Sequence, residues 1–206
     1  MDEAAREALE REVRGLCAQA KHDQAATVAL RGYGPEVLGF LMAASGDEAA
    51  ASELFSDASE ALWRSLPTFA WKCSLRTWTY AIARNLLRHR ARDAMRAKKR
   101  EGGGDSVVDQ VAQAVRTETL AFLRTERKTR LQELRDALPE EERMLLVLRV
   151  DRQLAWKDLA RVLGEGQGGV QMSDEEAAKE AARLRKQFQL VKDRLRELAK
   201  KEGLLE

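Results

Sequence analysis

Residues 75–92 constrain this chain more than any other stretch. Leu75, Trp78, Ile82 and Leu86 recur at helical spacing and form one apolar stripe. Arg76, Tyr80, Arg84 and Arg88 step by four along a different face, with Thr77 beside them and Asn85 near the border. The pattern predicts one helix with an apolar back and a basic, partly aromatic front. Just upstream, Phe69 and Trp71 flank a short segment that turns at Lys72, Cys73 and Ser74. Phosphates are held by Arg and Lys, and unstacked bases by flat rings and amide edges. Nucleic-acid binding and an ordinary solvated charged face both fit this pattern taken alone.

The rest of the chain predicts an all-α fold. It has 206 residues, three prolines, few β-branched runs and abundant Ala, Leu, Arg and Glu. No alternating strand pattern of convincing length occurs. No apolar run approaches the ~20 residues needed to span a bilayer. The charged N-terminus is unlike a signal peptide, so the expected location is cytoplasmic, with no membrane insertion. Cys17 and Cys73 are far apart in sequence, as reduced thiols would be. Cys17 and His22 are too few for a zinc site, and no metal is expected. The net charge of +2 hides an uneven distribution. Residues 76–100 are strongly basic, 179–201 basic on balance, and 47–60 carry only acids.

In chain order, residues 2–21 read as an additional helix with Leu9, Val13, Leu16 and Ala20 on one face. Residues 24–42 read as a second helix, with a kink or break at Gly34 ahead of Pro35. A turn at Ser45, Gly46 and Asp47 leads into a helix over 48–66 that Pro67 ends. Leu54, Ala58 and Leu62 line it, widened by Phe55, Trp63 and Leu66, among the acids Glu53, Asp57 and Glu60. The basic tail after Arg92 runs into Gly102, Gly103 and Gly104, a flexible linker and the expected domain boundary. Residues 107–117 could be helical or disordered. Pro139 at a helix N1 position, followed by Glu140, Glu141 and Glu142, suits a helix start. Leu145, Leu146, Leu148 and Val150 fill that helix, and Leu159, Ala160, Val162 and Leu163 the next. The turn over 164–172 is long and glycine-rich. Ser173 with Glu176 then reads as a capping box opening a helix to about residue 201. Leu184, Phe188, Val191, Leu195 and Leu198 are its expected core face.

The wording of these segments adds a resemblance. SLRTWTYAIARNLLRHRARD resembles region 2 of bacterial RNA polymerase sigma factors of the extracytoplasmic-function (ECF) type, where SFRTWLYRIARNLALDHLRR is a typical phrase. Residues 30–41 and 51–66 are similar to that region's preceding helices. LQELRDALPEEERMLLVLRVDRQLAWKDLARVLG over 131–164 resembles the start of region 4. Ala155 stands where that family usually has a capping Ser, and Trp156 fills its usual Tyr slot. A helix-turn-helix also normally turns in three or four residues, fewer than over 164–172.

The resemblance implies two helical domains, a region 2-like bundle over 24–101 and a region 4-like helix-turn-helix over 131–206. The N-terminal helix (1–23) and a linker with a leading helix (102–130) complete the chain. It implies a sigma factor that binds core RNA polymerase and directs promoter recognition, DNA melting and transcription initiation. The polymerase-facing residues would be Glu53, Leu54, Asp57, Leu62 and Trp63. In the minus-ten element, Trp71, Lys72 and Ser74 would hold a flipped base and Asn85 would read an adjacent edge. Arg76, Arg84 and Arg88 would hold phosphates, beside Thr77 and Tyr80, while Trp78 would mainly pack the core. Arg183, Arg185, Lys186, Gln187 and Gln189 would face the minus-thirty-five element in the major groove. Promoter DNA and core polymerase are the expected partners, and an anti-sigma factor is a further one the resemblance allows.

No nucleophile motif, no phosphate-binding glycine loop and no metal-ligand spacing is evident. The expectation is a non-enzyme without cofactors. Two other readings remain at this point. One is a helix-turn-helix regulator acting on duplex DNA without polymerase, and the other a helical interaction protein such as a sigma-like antagonist.

Overall fold

In the computed structural model, the described residues are 1–93, 107–125, 130–164 and 172–204. Every regular element among them is helical. Helices α1 (Glu3–Ala18), α2 (His22–Ser45), α3 (Glu48–Ser65) and α4 (Leu75–Asp93) precede α5 (Val107–Thr125). Then come α6 (Arg130–Asp136), α7 (Glu140–Leu146), a π-helical turn over Val147–Asp151, α8 (Trp156–Leu163) and α9 (Asp174–Lys201).

The ends of these helices follow local chemistry. Asp2 caps α1 by accepting from the Ala5 amide at 2.8 Å. Gly46 closes α2 in the left-handed region, at φ 69°, which only glycine enters without steric cost. Asp47 then caps α3, accepting from the Ala49 amide at 2.8 Å. A single 3₁₀ turn over Leu66–Thr68 ends that run. Ser173 and Glu176 form the reciprocal capping box at the start of α9. Pro139 occupies the N-cap of α7, one position earlier than the sequence suggests.

Of the kink or break expected at Gly34, the break does not occur, because α2 continues through Pro35. A proline inside a helix costs about 3 kcal/mol. The offset is burial on both sides of it: Tyr33, Gly34, Val37, Leu38, Phe40 and Leu41 are all inside. Residues 107–117, which the sequence left open, belong to α5. Val108, Ala112, Val115 and Leu120 bury its inner face against the N-terminal helices. Val150 points partly to solvent at 44% exposure, while Leu145, Leu146 and Leu148 are buried.

One core cluster runs through α2, α3, α4, α5, α7, α8 and α9, so the N- and C-terminal halves share it. A second joins α1 to α2, the end of α3 and the start of α4. The basic tail over 94–100 and the glycine linker lie outside the described residues, as does most of the glycine-rich turn.

Helix α2 distinguishes its two buried glycines. A Cβ on Gly34 would lie 2.7 Å from Val115 Cγ1, a stiff β-branched neighbour on α5. A Cβ on Gly39 would meet Arg152 Nη2, the tip of a long side chain that can swing away. Both changes to Ala gain the same helix propensity. Gly34→Ala should therefore be less stable than Gly39→Ala by about 1–3 kcal/mol in urea unfolding.

Candidate nucleic-acid interface

Helix α4 begins with its amides already bonded. Ser74 Oγ accepts from the Thr77 amide at 3.1 Å and lies 2.8 Å from Thr77 Oγ1. The two preceding amides, of Leu75 and Arg76, donate to the Glu10 carboxylate at 2.8 and 3.0 Å. Upstream, Phe69 stacks on Trp78 with centroids 4.1 Å apart and packs tilted against Trp71 at 4.7 Å. The Arg14 guanidinium lies 5.4 Å from the Trp71 ring. Trp71 has φ 54°, a conformation that costs a non-glycine residue about 1–3 kcal/mol. Lys72 and Ser74 are exposed on this loop.

The face that the sequence marks as basic is largely internal. Tyr80 is fully buried, with Thr77 at 2% and Arg84 at 6% exposure. Arg76 donates through Nε to Glu36 Oε2 at 2.8 Å and through Nη2 to the Arg152 carbonyl at 2.7 Å. Tyr80 donates its hydroxyl to Glu36 Oε2 at 3.1 Å. Burial, with the Glu36 charge adding, pushes the Tyr80 phenol well above its ordinary pKa, so it remains a donor. Arg84 reaches the C-terminal end of α8, donating to the Leu163 carbonyl at 2.9 Å and the Gly164 carbonyl at 3.1 Å. A helix C-terminus suits a cation there. The reason for this burial lies beside the basic positions: Ala83 and Leu87 give α4 a second apolar face, in the core cluster that also holds Tyr80. Trp78 and Ile82 pack into the cluster under α1. Asn85 and Arg88 are half-buried.

The residues that the resemblance assigns to the minus-thirty-five element sit on α9. Arg183, Arg185, Lys186 and Gln189 are exposed and Gln187 is half-buried. Arg183 pairs with Glu180, and Gln189 donates to Asp193 at 3.3 Å. Arg185 lies 5.5 Å from the Trp156 ring, which meets Phe188 edge-on at 5.7 Å and so ties α8 to α9. A cleft of about 90 Å³ joins the two sets. Arg84 and Arg88 of α4 line it with Arg183 and Gln187 of α9, and Glu141 of α7 adds one acid. The sequence assigned these residues to separate domains.

On α3, Glu53 and Asp57 are exposed, and Glu53 pairs with Arg90 at 2.6 Å. Trp63 is half-buried and donates from Nε1 to Asp23 at 2.7 Å. Leu54 and Leu62, expected on a polymerase-facing surface, are core residues at 2% and 0% exposure. They fill the inner face of α3, and the acids lie on the outer one. Among the described residues, no group of three or more His, Cys, Asp or Glu side chains is arranged to hold a metal ion. No described helix is long and apolar enough to cross a membrane.

The sequence did not single out Glu10, Arg14, Glu36 and Arg152, whose contacts with the loop and α4 span 40 or more residues. Only Glu10 left a trace, as an acid bordering the Leu9–Val13 stripe.

The family description for sigma-70 region 2 matches residues 29–97. The match supports a sigma-70 family member. It takes in most of α2, all of α3, the aromatic loop and α4, and leaves out α1 and everything from α5 onward. No curated protein matches the sequence.

Within the matched segment, burial pushes the Cys73 thiol up to about 12. At pH 8 it is almost entirely protonated, and the thiolate is the reactive form. Iodoacetamide should label Cys73 in the folded protein at least tenfold more slowly than in urea, as read by peptide mass mapping.

Proposed function

We propose that this chain is an ECF-type sigma factor, a non-enzymatic subunit that binds core RNA polymerase and directs promoter recognition, melting and initiation. The region 2 match over residues 29–97 carries this reading, because it contains both the aromatic loop and α4. The outer face of α3, with Glu53, Asp57 and Trp63, docks on polymerase. Lys72 and Ser74, which are exposed, and Asn85 engage the opened minus-ten strand. Arg183, Arg185, Lys186, Gln187 and Gln189 face the minus-thirty-five duplex.

Arg76 and Arg84 cannot hold phosphates while they are bonded to Glu36, Arg152 and the end of α8. The compact arrangement is accordingly the DNA-free form, and promoter engagement draws α8 and α9 away from α4. A buried charge is costly to leave unpaired. Arg84 must therefore exchange carbonyl acceptors for phosphate oxygens as the halves separate.

Reconstitution with core polymerase tests this reading. The wild-type chain should co-elute with core polymerase in gel filtration and support run-off transcription from genomic fragments. Asp57→Arg should weaken assembly tenfold or more while the helical content stays unchanged. Energy transfer between dyes at His89 and Leu190 should fall when holoenzyme binds a promoter. Failure of the wild-type chain to assemble, or unchanged energy transfer in an active complex, would overturn the corresponding part.

The loop residues make a separate expectation. In pre-assembled holoenzyme, the combined Lys72→Ala, Ser74→Ala and Asn85→Ala protein should lose permanganate reactivity of promoter thymines. Its polymerase affinity should stay within about twofold. Alanine at a base-reading residue of α9 should instead cost about 1–3 kcal/mol at one promoter position.

A further inference from the structure

Helix α1 lies outside the matched segment, yet its side chains reach the aromatic loop and the first turn of α4. Both Glu10 carboxylate oxygens are engaged. Oε2 accepts from the Leu75 amide at 2.8 Å, and Oε1 accepts from the Arg76 amide at 3.0 Å and the Tyr33 hydroxyl at 2.9 Å. The first amides of a helix have no intrahelical acceptor, and a carboxylate there gains from both the hydrogen bonds and the helix dipole. Here the acceptor comes from 65 residues upstream instead of from the adjoining loop. Tyr33 is 1% exposed, and burial with the Glu10 charge beside it keeps its hydroxyl protonated as a donor.

Four residues along α1, Arg14 lies 5.4 Å from the ring of Trp71, whose backbone is in the left-handed region. Val13, fully buried, and Leu9, Leu16 and Cys17 pack in the cluster that holds Phe69, Trp71 and Trp78. Leu9 fits against Gly32, where an added Cβ would run into Leu9 Cδ2, so α1 seats close on α2. One helix therefore bonds the start of α4, meets the ring of Trp71 and packs in the same apolar cluster as Phe69.

We propose that Glu10 is a positioning residue for promoter opening, which locks α1 onto the first turn of α4 and so presets the loop over 69–74 for capture of a single-stranded base. The inference rests on the sigma-factor reading above. Preorganising a loop lowers the ordering cost of binding, so losing the lock should weaken strand capture more than polymerase docking. The hydrogen bonds of Glu10 go to Tyr33, Leu75 and Arg76, and none goes to the α3 acids Glu53 and Asp57.

The test compares wild type, Glu10→Ala, Glu10→Gln, Arg14→Ala and Glu7→Ala as full chains. In the free protein, hydrogen exchange at the Leu75 and Arg76 amides should speed up at least tenfold in Glu10→Ala. Glu7→Ala, an exposed change on the same helix, should leave both amides as in wild type. As holoenzyme, Glu10→Ala should bind a single-stranded non-template minus-ten oligonucleotide about tenfold more weakly. Its core-polymerase affinity should stay within twofold. Glu10→Gln, which keeps a carbonyl acceptor, should recover part of that binding, and Arg14→Ala should lose part of it with the amides still protected. Wild-type strand binding by Glu10→Ala, or equal loss of strand binding and polymerase assembly, would overturn the positioning role. If Glu10→Ala fails to fold, Arg14→Ala decides the matter, since undiminished strand binding there would also overturn it. A wild-type chain unable to assemble with polymerase would instead remove the functional reading, and the proposed role with it.

Discussion

Helix α4 is an interior helix that carries charge, and the structure depends on satisfying that charge. Arg76 and Arg84 give up much of their hydration when they are buried, a loss only good partners offset. Arg76 shares the Glu36 carboxylate with Tyr80 and takes the Arg152 carbonyl as well. Arg84 takes the last carbonyls of α8. Three of these acceptors come from the C-terminal half. The guanidinium groups of α4 thus bond that half to the segment over residues 29–97, and the shared apolar core closes around them.

Under the proposed function, the same residues would have two sets of partners. Carbonyl oxygens at a helix C-terminus and phosphate oxygens are both acceptors that a guanidinium fork can engage. An arginine bonded to one is poised to exchange for the other at modest net cost, provided both states are well satisfied. The cleft between α4 and α9, lined by Arg84, Arg88, Arg183 and Gln187, gathers positive charge from both halves at one place. If the chain binds promoter DNA as proposed, compactness and phosphate contact would compete for Arg84.

The aromatic loop follows a different logic. Its rings pack on one another and on α1, and the amides that follow it are bonded to Glu10. Lys72 and Ser74 are the exposed polar side chains in this short stretch. A loop anchored by packing below and by hydrogen bonds at its exit presents few groups, but presents them in a fixed position.

The amino-acid sequence alone determined the helical class and most helix ends. Periodicity and caps act within a few residues, and Asp47, Gly46 and the Ser173–Glu176 box each operate where the sequence places them. The region 2 segment was legible for the same reason, since its pattern is contiguous. Tertiary structure decided which faces are free. Tyr80 and Arg84 share a helical face with Arg88, yet only contact with α2 and α8 makes them internal. Leu54 and Leu62 share α3 with Glu53 and Asp57, and packing alone separates the core face from the outer one. Pro35 signalled a break, but the burial flanking it kept α2 continuous. Glu10 reads as an unremarkable surface acid until folding brings the Leu75 and Arg76 amides to it. Local chemistry is written in neighbouring letters, whereas burial and partnership depend on residues far apart in the chain.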